Sequence, residues 1–445
     1  MRNAIESIVL CDAVRTPFCH GTKMKRIKPE KLLAAIIESL VNRNSLKGDY
    51  ISGVVTGTVM QGWKNPNIAR SGAQLAGLPD STADYTVQNN CNSAFVGLIS
   101  ALGAISSGLG ELYLSTGVES MSRYGFGLRD LSGSCGSLFE VNELQKSGMS
   151  EFMNNFQVVD CLEECLTDRN NQISMIEIGE IMANYFHISR EEQDTYTLDN
   201  LKKAVVAVEE KKMSSHIIEI DGIYADSYPL NRKKMIRRPE LFSRAAEVFG
   251  KENPLLNPQG FFSKHKKHLE KLSVKKIDPT VTMYNSSIPG DGAGGCIITT
   301  EDFAQKAGLT PKFRVINWAV TGVNPVIMGI GPCESTEKLF SDPKTSFAEG
   351  LMMDDMDQVE IHEAFAAQVL SVFKESARKY GRKWDRGKIN PYGGSLAYTH
   401  PLGATNFRML ANAFSWFEEN RKAEYALLCG CAGGGQGTSL MLKRF

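Results

Sequence analysis

The residues best suited to chemistry in this 445-residue sequence are a cysteine and two histidines at breaks between strand and helix patterns. Cys91 lies in NNCNS, between a predicted strand and a predicted buried helix. A thiol at a helix N-terminus feels the helix dipole, which favours the thiolate and lowers the pKa of the cysteine. A sharp turn from strand to helix also exposes a nucleophile. A buried structural cysteine is the alternative that this local context leaves open.

Two of the seven histidines lie in settings that suit a general base. His400 lies in YTHPLGATN, a loop with Gly and Pro before an apolar helix, and His362 lies in VEIHEAFAAQ, where a strand meets a helix. Imidazole is the natural base for a thiol near neutral pH. Either histidine alone could be a cap or a core residue, but together with Cys91 they favour a nucleophile–base pair. By contrast, His265 and His268 in SKHKKHLEK are predicted to be exposed loop residues.

The stretch CGCAGGGQG at residues 429–437 admits several kinds of site. A phosphate loop would need a following helix with Lys-Ser/Thr or a full GxGxxG, and the strand pattern SLMLKRF follows instead. Cys429-x-Cys431, like Cys161-x3-Cys165, lacks the paired spacing of a zinc site, so no metal is predicted. A hairpin turn explains one or two of the five glycines. Backbone N–H groups without side chains make good oxyanion donors, and a thiol beside them could be a second acid or base.

The composition is that of a globular protein with two or three domains. Hydrophobic residues make up 42% of the chain and charged residues 22%, and the length exceeds what one core usually supports. No apolar run approaches the roughly 20 residues of a membrane span, and the first residues lack the apolar core and cleavage site of a signal peptide. Ten scattered cysteines do not form a disulfide framework. We therefore expect a cytoplasmic protein with no transmembrane segment.

Charge is unevenly distributed although the net charge is zero. Residues 232–276 contain 13 Lys or Arg against 4 Asp or Glu, an excess of nine positive charges. A solvated loop is one interpretation, and an anionic cofactor, a membrane surface or nucleic acid are the others. Aromatic residues are not interleaved with these basic residues as a base-stacking surface requires, so nucleic acid is the weakest of them and is not expected as a partner.

Hydrophobic periodicity divides the chain into three parts. Up to about residue 120, strand patterns (SIVLCDAV, ISGVVTGTV, DYTVQNN, LYLSTGVESMS) alternate with helix patterns (PEKLLAAIIESLVNRN, AFVGLISALGAISSG). Residues 121–287 have long polar helices, one of which begins at a capping box formed by Ser189 and Glu192. The alternation of strand and helix returns from about residue 303.

The two flanking parts look like copies of one another. YTVQNNCNSAFVGLISALGAI followed by LYLSTGV has the same plan as YGGSLAYTHPLGATNFRMLANAF followed by YALLCGC. In both, a loop of small residues leads into an apolar helix and then a strand. A duplication of this kind would bring Cys91 and His400 to one face of paired sheets.

The sequence resembles a known family, the thiolases, which are acyl-CoA:acetyl-CoA C-acyltransferases. The resemblance rests on VRTPF, NNCNSAF, GVESMS, NSSIPGDGAGG, GIGP, HEAFAAQ, GGSLAYTHPLGATN and CAGGGQG, which occur in the family's order and spacing. HEAF, GGSL and CAGGGQG are most similar to the long-chain branch that includes the trifunctional-complex beta subunit. The resemblance implies an α/β thiolase-like fold with two similar βαβαβαββ core halves in αβαβα layers. It implies halves at residues 1–120 (completed by about 288–302) and 303–445, with a CoA-binding loop domain inserted at 121–287.

The resemblance also implies catalytic roles. Cys91 would be the nucleophile that takes the acyl group, and His400 would be its base. Cys431 would exchange the proton on the alpha carbon of the second acyl group. His362, with His400, would support the oxyanion hole for the enolate oxygen.

Further residues are implied in binding. The backbone N–H groups of Cys91 and Gly433 would form the oxyanion hole for the tetrahedral intermediate. Ser287 would lie beside the pantetheine arm of CoA, and Ala364 and Phe365 would also contact the substrate.

The activity implied is a thiolase that makes or cleaves a 3-ketoacyl-CoA, with CoA and acyl-CoA as substrates and no permanently bound cofactor. A homodimer or dimer of dimers is expected, with a hydratase–dehydrogenase subunit as a further partner. A ketosynthase-like condensing enzyme and a noncatalytic subunit of the same fold are the alternatives, and Cys431 argues against the former. The sequence departs from the family at Thr399, Asn406 and Cys19, and SMIEIGEIMA replaces the usual MGxTAExxA; these departures bear on substrate choice.

Overall fold

A nine-stranded mixed sheet runs through the protein. The computed structural model describes residues 5–62, 64–130, 156–250 and 257–445. The strands of the sheet lie in the order β11-β12-β13-β10-β1-β9-β4-β2-β3, and two small hairpins, β5–β6 and β7–β8, stand apart from it. The strands are β1 (Ile8–Arg15), β2 (Gly53–Gly57), β3 (Tyr85–Val87), β4 (Leu112–Ser120), β5 (Phe126–Asp130), β6 (Phe156–Asp160), β7 (Thr167–Asp168), β8 (Ile173–Ser174), β9 (Asp291–Thr300), β10 (Phe313–Gly322), β11 (Gln358–Ile361), β12 (Tyr425–Ala432) and β13 (Gln436–Arg444).

Helices cover both sides of this sheet. The α-helices are α1 (Pro29–Arg43), α2 (Ile68–Leu75), α3 (Ser93–Ser106), α4 (Cys161–Cys165), α5 (Met175–Tyr185), α6 (Arg190–Glu209), α7 (Tyr228–Arg232), α8 (Lys234–Arg237), α9 (Glu240–Ser243), α10 (Pro258–Lys271), α11 (Glu301–Ala307), α12 (Gly331–Ser341), α13 (Ala366–Tyr380) and α14 (Thr405–Glu419). Short 3-10 turns occupy Gly48–Tyr50, Met121–Arg123, Ser214–His216, Pro325–Ile330, Ser346–Ala348 and Met353–Asp355. Within the described ranges, no helix is both long and apolar enough to cross a membrane.

The two halves of the sheet repeat one plan, as the sequence predicted. In the first half β2 runs parallel to β4, which pairs antiparallel with β9, which pairs antiparallel with β1. In the second half β11, β12, β13 and β10 repeat this arrangement in the same order. The halves meet where β1 and β10 pair at Val9–Arg314 and Leu10–Phe313. The predicted duplication is therefore confirmed in the topology.

Helices α3 and α14 lie between the two halves and form the central layer. The core around them combines Leu98 and Phe414 from these helices with Ile298 and Phe313 from strands of the two halves. The outer face of the first half is covered by α1 and α2, and that of the second half by α12 and α13. The structure therefore has five layers: outer helices, the first half of the sheet, the central helices, the second half of the sheet and outer helices. Because α3 is enclosed, its sequence is apolar all round, as was expected from the pattern.

The polar segment between the halves contributes helices that pack beside the sheet. The capping box of Ser189 and Glu192 is present at the start of α6, as predicted. The prediction for SKHKKHLEK was wrong, because this stretch is helical within α10 and His265 is buried. The imidazole of His265 lies 4.8 Å from the ring of Phe261 and 2.9 Å from a carboxylate oxygen of Glu177. The lysine-rich sequence therefore forms a helix with one buried face, which the number of lysines does not predict. His268 on the same helix is half-buried.

Candidate active site

Cys91, His362 and His400 come together from three separate elements. Cys91 follows β3 and precedes α3, His362 directly follows β11, and His400 lies in the loop before α14. The sulfur and one nitrogen from each imidazole lie within 4.8 Å of one another, and all three residues are buried. The two imidazole centroids are 4.1 Å apart. The three residues singled out by sequence context therefore share one site.

The loop at His400 fixes which nitrogen of its imidazole is free. His400 Nδ1 lies 2.6 Å from Thr405 Oγ1, and that hydroxyl donates its proton to the carbonyl of Pro401 at 2.9 Å. Thr405 can therefore only accept from His400, which places the proton on Nδ1 and the lone pair on Nε2. Nε2 is buried and has no hydrogen-bond partner. Burial, and then the positive charge of Arg408, lower the pKa of His400 to about 3, so the imidazole is a neutral base.

His362 is held from two sides by its neighbours. Its backbone N–H donates to the carbonyl of Cys429 at 2.8 Å, and Nδ1 lies 3.1 Å from Ser395 Oγ. Its Nε2, like that of His400, is buried without a partner. Burial, followed by the adjacent His400, holds the pKa of His362 well below its usual value. Two neutral imidazoles thus present free nitrogen atoms to one enclosed space.

Cys91 does not have the lowered pKa that its predicted position at a helix start suggested. It is 8% exposed, and burial raises the pKa of its thiol to about 12, although the N–H groups of Gly433 and of Cys91 itself oppose this rise. The first residue of α3 is Ser93 and its cap is Asn92, so Cys91 lies just outside the first turn, where the dipole acts most strongly. Desolvation therefore outweighs the helix, and the resting group is a thiol.

Asparagines around Cys91 join its turn to the glycine-rich stretch near the C-terminus. Asn90, with a left-handed φ of +47°, donates from Nδ2 to the carbonyl of Gly433 at 2.8 Å. Asn92 Nδ2 donates to the carbonyl of Gly430 at 3.0 Å, and Asn89 bonds Gln436. These bonds link residues more than 330 positions apart in sequence and bring the backbone N–H of Gly433 to the Cys91 sulfur.

The glycine-rich stretch forms the hairpin that the sequence predicted. It connects β12 to antiparallel β13, and Gly434 and Gly435 take φ values of +81° and +83°, which favour glycine. Cys431 is fully buried at the end of β12, and after burial the nearby Cys91 is the next cause that raises its pKa. Cys429 instead packs into the outer core and bonds Thr336. Of the two cysteines, Cys431 is the one that lies near Cys91.

Two cavities meet at Cys91. The first, of about 670 Å³, is lined by His400 together with all three residues expected to contact substrate, Ser287, Ala364 and Phe365. Ser287 is tied to Ala364 by a backbone hydrogen bond of 2.9 Å. The second, of about 930 Å³, is bounded by Gly433 and by residues of β6, α4 and the loops beside them. Cys91 therefore borders both cavities, which together offer space for the parts of a thioester.

Several residues that shape the site were not singled out in the sequence. Thr405 and Ser395 orient the two imidazoles, and Arg408 is fully buried near them, 3.7 Å from a carboxylate oxygen of Glu360. Thr405 could have been found from its position five residues after His400, at the start of α14. Ser395 and Arg408 gave no signal in composition or periodicity, because their roles depend on contacts across the fold.

The basic segment reaches the mouth of the first cavity. Lys264 on α10 lines this cavity and bonds Glu177 at 2.6 Å, while Lys266 and Lys267 on the same helix are exposed. Residues 251–256 of the segment lie outside the described residues. At the cavity itself Lys264 is paired with Glu177, and Glu163 and Glu164 also line it. The excess positive charge therefore lies on the adjoining surface of α10 and not in the cavity wall.

Comparison with known proteins gives one consistent family. Residues 8–245 match the family model described as thiolase, N-terminal domain, and residues 309–444 match thiolase, C-terminal domain. The chain is 32% identical over 98% of both chains to the 3-oxoadipyl-CoA/3-oxo-5,6-dehydrosuberyl-CoA thiolase of Escherichia coli K12. It is 30% identical to the human mitochondrial trifunctional enzyme subunit beta, over 99% of this chain and 89% of the relative. The crystal structure of human mitochondrial 3-ketoacyl-CoA thiolase in complex with CoA is 27% identical over 99% of both chains, with a TM-score of 0.81.

Proposed function

The chain belongs to the thiolase family and is an acyl-CoA acyltransferase, and from this premise we propose that it makes or cleaves 3-ketoacyl-CoA through an acyl thioester on Cys91. The observation that carries this proposal is the cluster of one thiol and two neutral imidazoles at the junction of two cavities. A thiolate both attacks a carbonyl and leaves from a thioester, as the two halves of this reaction require.

In the direction of cleavage, His400 Nε2 takes the thiol proton as Cys91 Sγ attacks the 3-keto carbonyl carbon. The bond between the second and third carbons then breaks, which leaves the acyl group on Cys91 and the electron pair on the enolate of acetyl-CoA. Cys431 donates a proton to the second carbon of this enolate. CoA, whose thiol proton passes to the Cys431 thiolate, then attacks the acyl thioester and forms acyl-CoA, while the Cys91 thiolate leaves and takes back its proton from His400 Nε2. The free, buried Nε2 of His400 supports its role as base.

Two oxyanion sites stabilise the charges that develop. The N–H groups of Gly433 and Cys91, which face the Cys91 sulfur, would receive the oxygen of the tetrahedral intermediate. His400, once protonated on Nε2, would donate to the enolate oxygen together with His362. Donors held in place in a dry site can contribute several kcal/mol, of the order of 3 kcal/mol each.

For CoA, we assign the pantetheine arm to the first cavity, beside Ser287, Ala364 and Phe365, and the phosphates to the basic face of the inserted segment at 121–287. Lys264 lines the cavity, and Lys266 and Lys267 share a surface depression with Lys264, which supports this assignment. No permanently bound cofactor is needed for this chemistry.

For the assembly, we propose that two copies of the chain pair through β3. This strand ends the sheet, and no described strand pairs with its outer edge; an open edge invites another strand. Sedimentation would give at least twice the 49.0 kDa chain mass, and a monomer would contradict the proposal. A hydratase–dehydrogenase subunit is proposed as a further partner of this assembly, and the similarity to a relative named as the beta subunit of a trifunctional enzyme supports it. The free state of all described cysteines supports a reducing compartment such as the cytoplasm.

Intact-protein mass spectrometry after incubation with acyl-CoAs tests the proposed function. The panel runs from acetyl to long chains and includes a carboxylated member, because one relative is named for 3-oxoadipyl-CoA. We expect one acyl adduct in the wild type and in Cys165→Ser, a matched variant in the second cavity, and none in Cys91→Ser. The chain that loads fastest identifies the substrate class.

Two results would count against the proposal. Retention of the adduct in Cys91→Ser would place the nucleophile elsewhere. Acylation by acyl-carrier protein but not by acyl-CoA would favour the ketosynthase-like alternative. Cys431→Ala should still acylate while losing carbon–carbon bond formation and cleavage, which separates the two chemical steps.

A further inference from the structure

We propose that the Cys91–His362–His400 cluster is also a binding site for a soft divalent cation of the zinc class, and that occupation of this site blocks the enzyme reversibly. The cation is an inhibitory ligand and takes no part in the acyl transfer. The proposal rests on the donor geometry and does not depend on the acyl substrate.

The donor set matches what zinc prefers. One sulfur and two imidazole nitrogens lie within 4.8 Å of one another, and zinc is commonly held by cysteine and histidine with one position left open. Among the described residues this is the only group of three or more such side chains with ligand atoms so close together.

A second observation points to a ligand at the same place. His362 is fully buried and His400 is 6% exposed, yet the Nε2 atoms of both have no hydrogen-bond partner. A buried polar atom without a partner is costly, and a cation between the two would satisfy both at once.

The surrounding hydrogen bonds prepare the imidazoles for metal binding. Ser395 Oγ contacts Nδ1 of His362, and Thr405 Oγ1 accepts from Nδ1 of His400. Metal-ligating histidines usually have their other ring nitrogen bound in this way, because it fixes the ring and its tautomer. Here it leaves Nε2 of His400 with a lone pair directed into the site.

The spacing requires only a modest contraction. Bonds of about 2.0 Å to nitrogen and about 2.3 Å to sulfur in tetrahedral geometry separate the donors by roughly 3.5 Å. Rotation of the Cys91 side chain toward the two held imidazoles would shorten the present separation of up to 4.8 Å. The two cavities that open at Cys91 give the cation a path and leave room for water as the fourth ligand.

Binding consumes the groups that the reaction needs. The Cys91 thiol releases its proton to solvent and forms a sulfur–metal bond, while each imidazole donates the lone pair of Nε2. For His362 this requires the tautomer that carries its proton on Nδ1 and donates it to Ser395 Oγ, instead of the tautomer with the proton on Nε2 that would serve an enolate oxygen. Acylation of Cys91 removes the thiolate donor, so the cation and the acyl group exclude one another.

The cysteines of α4 are the rival site. Cys161 and Cys165 line the second cavity and are only half-buried. The variants Cys161→Ser and Cys165→Ser therefore serve as matched controls for thiol-dependent binding outside the cluster.

Metal binding to the full-length protein, treated with chelator, tests the proposal. Co²⁺ would be titrated and followed by equilibrium dialysis and by absorption, since tetrahedral Co²⁺–thiolate has visible and near-ultraviolet bands. We expect one tight equivalent in the wild type and in both control variants, and none in Cys91→Ser. Thr405→Val, which keeps every ligand, should weaken binding about tenfold. Zn²⁺ should displace Co²⁺ and stop Cys91 acylation, and EDTA should restore it.

Three outcomes would overturn the inference: tight Co²⁺ binding that survives in Cys91→Ser, binding lost in Cys161→Ser or Cys165→Ser, or Cys91 acylation that proceeds normally with saturating Zn²⁺. Because binding is read by dialysis and absorption, it is measured even if no acyl-CoA is a substrate. A failure of the proposed function would therefore be distinguishable from a failure of this inference.

Discussion

At the scale of single residues, one hydroxyl decides whether His400 can act as a base. The Thr405 hydroxyl has a single proton and donates it to the carbonyl oxygen of Pro401. Its oxygen must therefore accept the hydrogen bond from His400 Nδ1. A side chain at Thr405 that cannot accept would leave the buried Nδ1 proton without a partner and would favour the tautomer with the proton on Nε2. That tautomer has no lone pair for the Cys91 thiol.

Thr405→Val should therefore slow acylation of Cys91 by about 10- to 100-fold, a part of the full effect of general base catalysis. The measurement is the rate of acyl-adduct formation under single-turnover conditions. Thr405→Ser keeps an acceptor at the same place and should retain most of the rate. An equal loss in both variants would show that the methyl group of Thr405, and not its oxygen, is what matters.

At the scale of elements, the buried side chain of Glu119 forms hydrogen bonds to the loops around the site. Glu119, at the end of β4, is 1% exposed. It accepts from the N–H groups of Val59 and Gly403, both at 2.9 Å, and from the hydroxyl of Tyr124. Gly403 lies three residues beyond His400, so this one side chain joins the His400 loop to the loop after β2.

Glu119→Ala should lower kcat about tenfold or more, since small displacements of catalytic groups are costly. The variant removes the acceptor shared by the N–H groups of Val59 and Gly403 and so releases the His400 loop from the loop after β2. The measurement compares kcat with the melting temperature, and Tyr124→Phe is the control that removes one hydrogen bond only. Activity lost only in proportion to the unfolded fraction would contradict a positioning role.

The contact between α5 and α10 predicts a pH-dependent stability. Although burial disfavours its charge, hydrogen bonds from His265, Lys264 and Ser174 lower the pKa of Glu177 to about 2. A lowered pKa in the folded state stabilises the protein above the unfolded pKa of about 4.3, and this contribution is lost as pH falls toward 2.

Glu177→Gln should therefore destabilise the protein at pH 6 by at most about 3 kcal/mol, and the difference from wild type should shrink as pH falls from about 4.5 toward 2. Chemical denaturation at several pH values measures it. The exposed Glu349→Gln is the comparison for a carboxylate outside this contact. A difference that is constant with pH would show that the charge of Glu177 is not what stabilises the contact.

At the scale of the whole molecule, the proposed CoA site places the phosphates of CoA at the basic face of α10. Lys266→Glu with Lys267→Glu reverses two exposed charges in a surface depression that they share with Lys264, which itself lines the first cavity. We expect KM for CoA to rise about tenfold at low salt and the effect to fade at high salt, because exposed charges are screened. Lys422→Glu, exposed on the loop before β12, is the control.

In this experiment kcat should change little, because neither lysine lies in the catalytic cluster. A KM that is the same in the α10 variant and in Lys422→Glu would mean that the phosphates bind elsewhere. An effect on KM that does not depend on salt would indicate a local structural change instead of a charge interaction.

The sequence alone determined which segments form strands and helices in both halves, that the halves repeat one plan, and that Cys91, His362 and His400 are the residues to examine. Periodicity and turn residues report local backbone preference, which is strong for buried strands and for an enclosed helix such as α3. The hairpin at the glycine-rich stretch was predictable for the same reason. The ordered motifs supplied the family.

Only the tertiary structure decided the protonation states and the contacts between distant segments. The raised pKa of Cys91 and the lowered pKa of His400 come from burial, which overrides the local helix start. The buried face of α10 at His265 and the bond from Asn90 to Gly433 join segments remote in sequence. Desolvation and long-range hydrogen bonding depend on what surrounds a group in space, and a linear pattern does not contain that information.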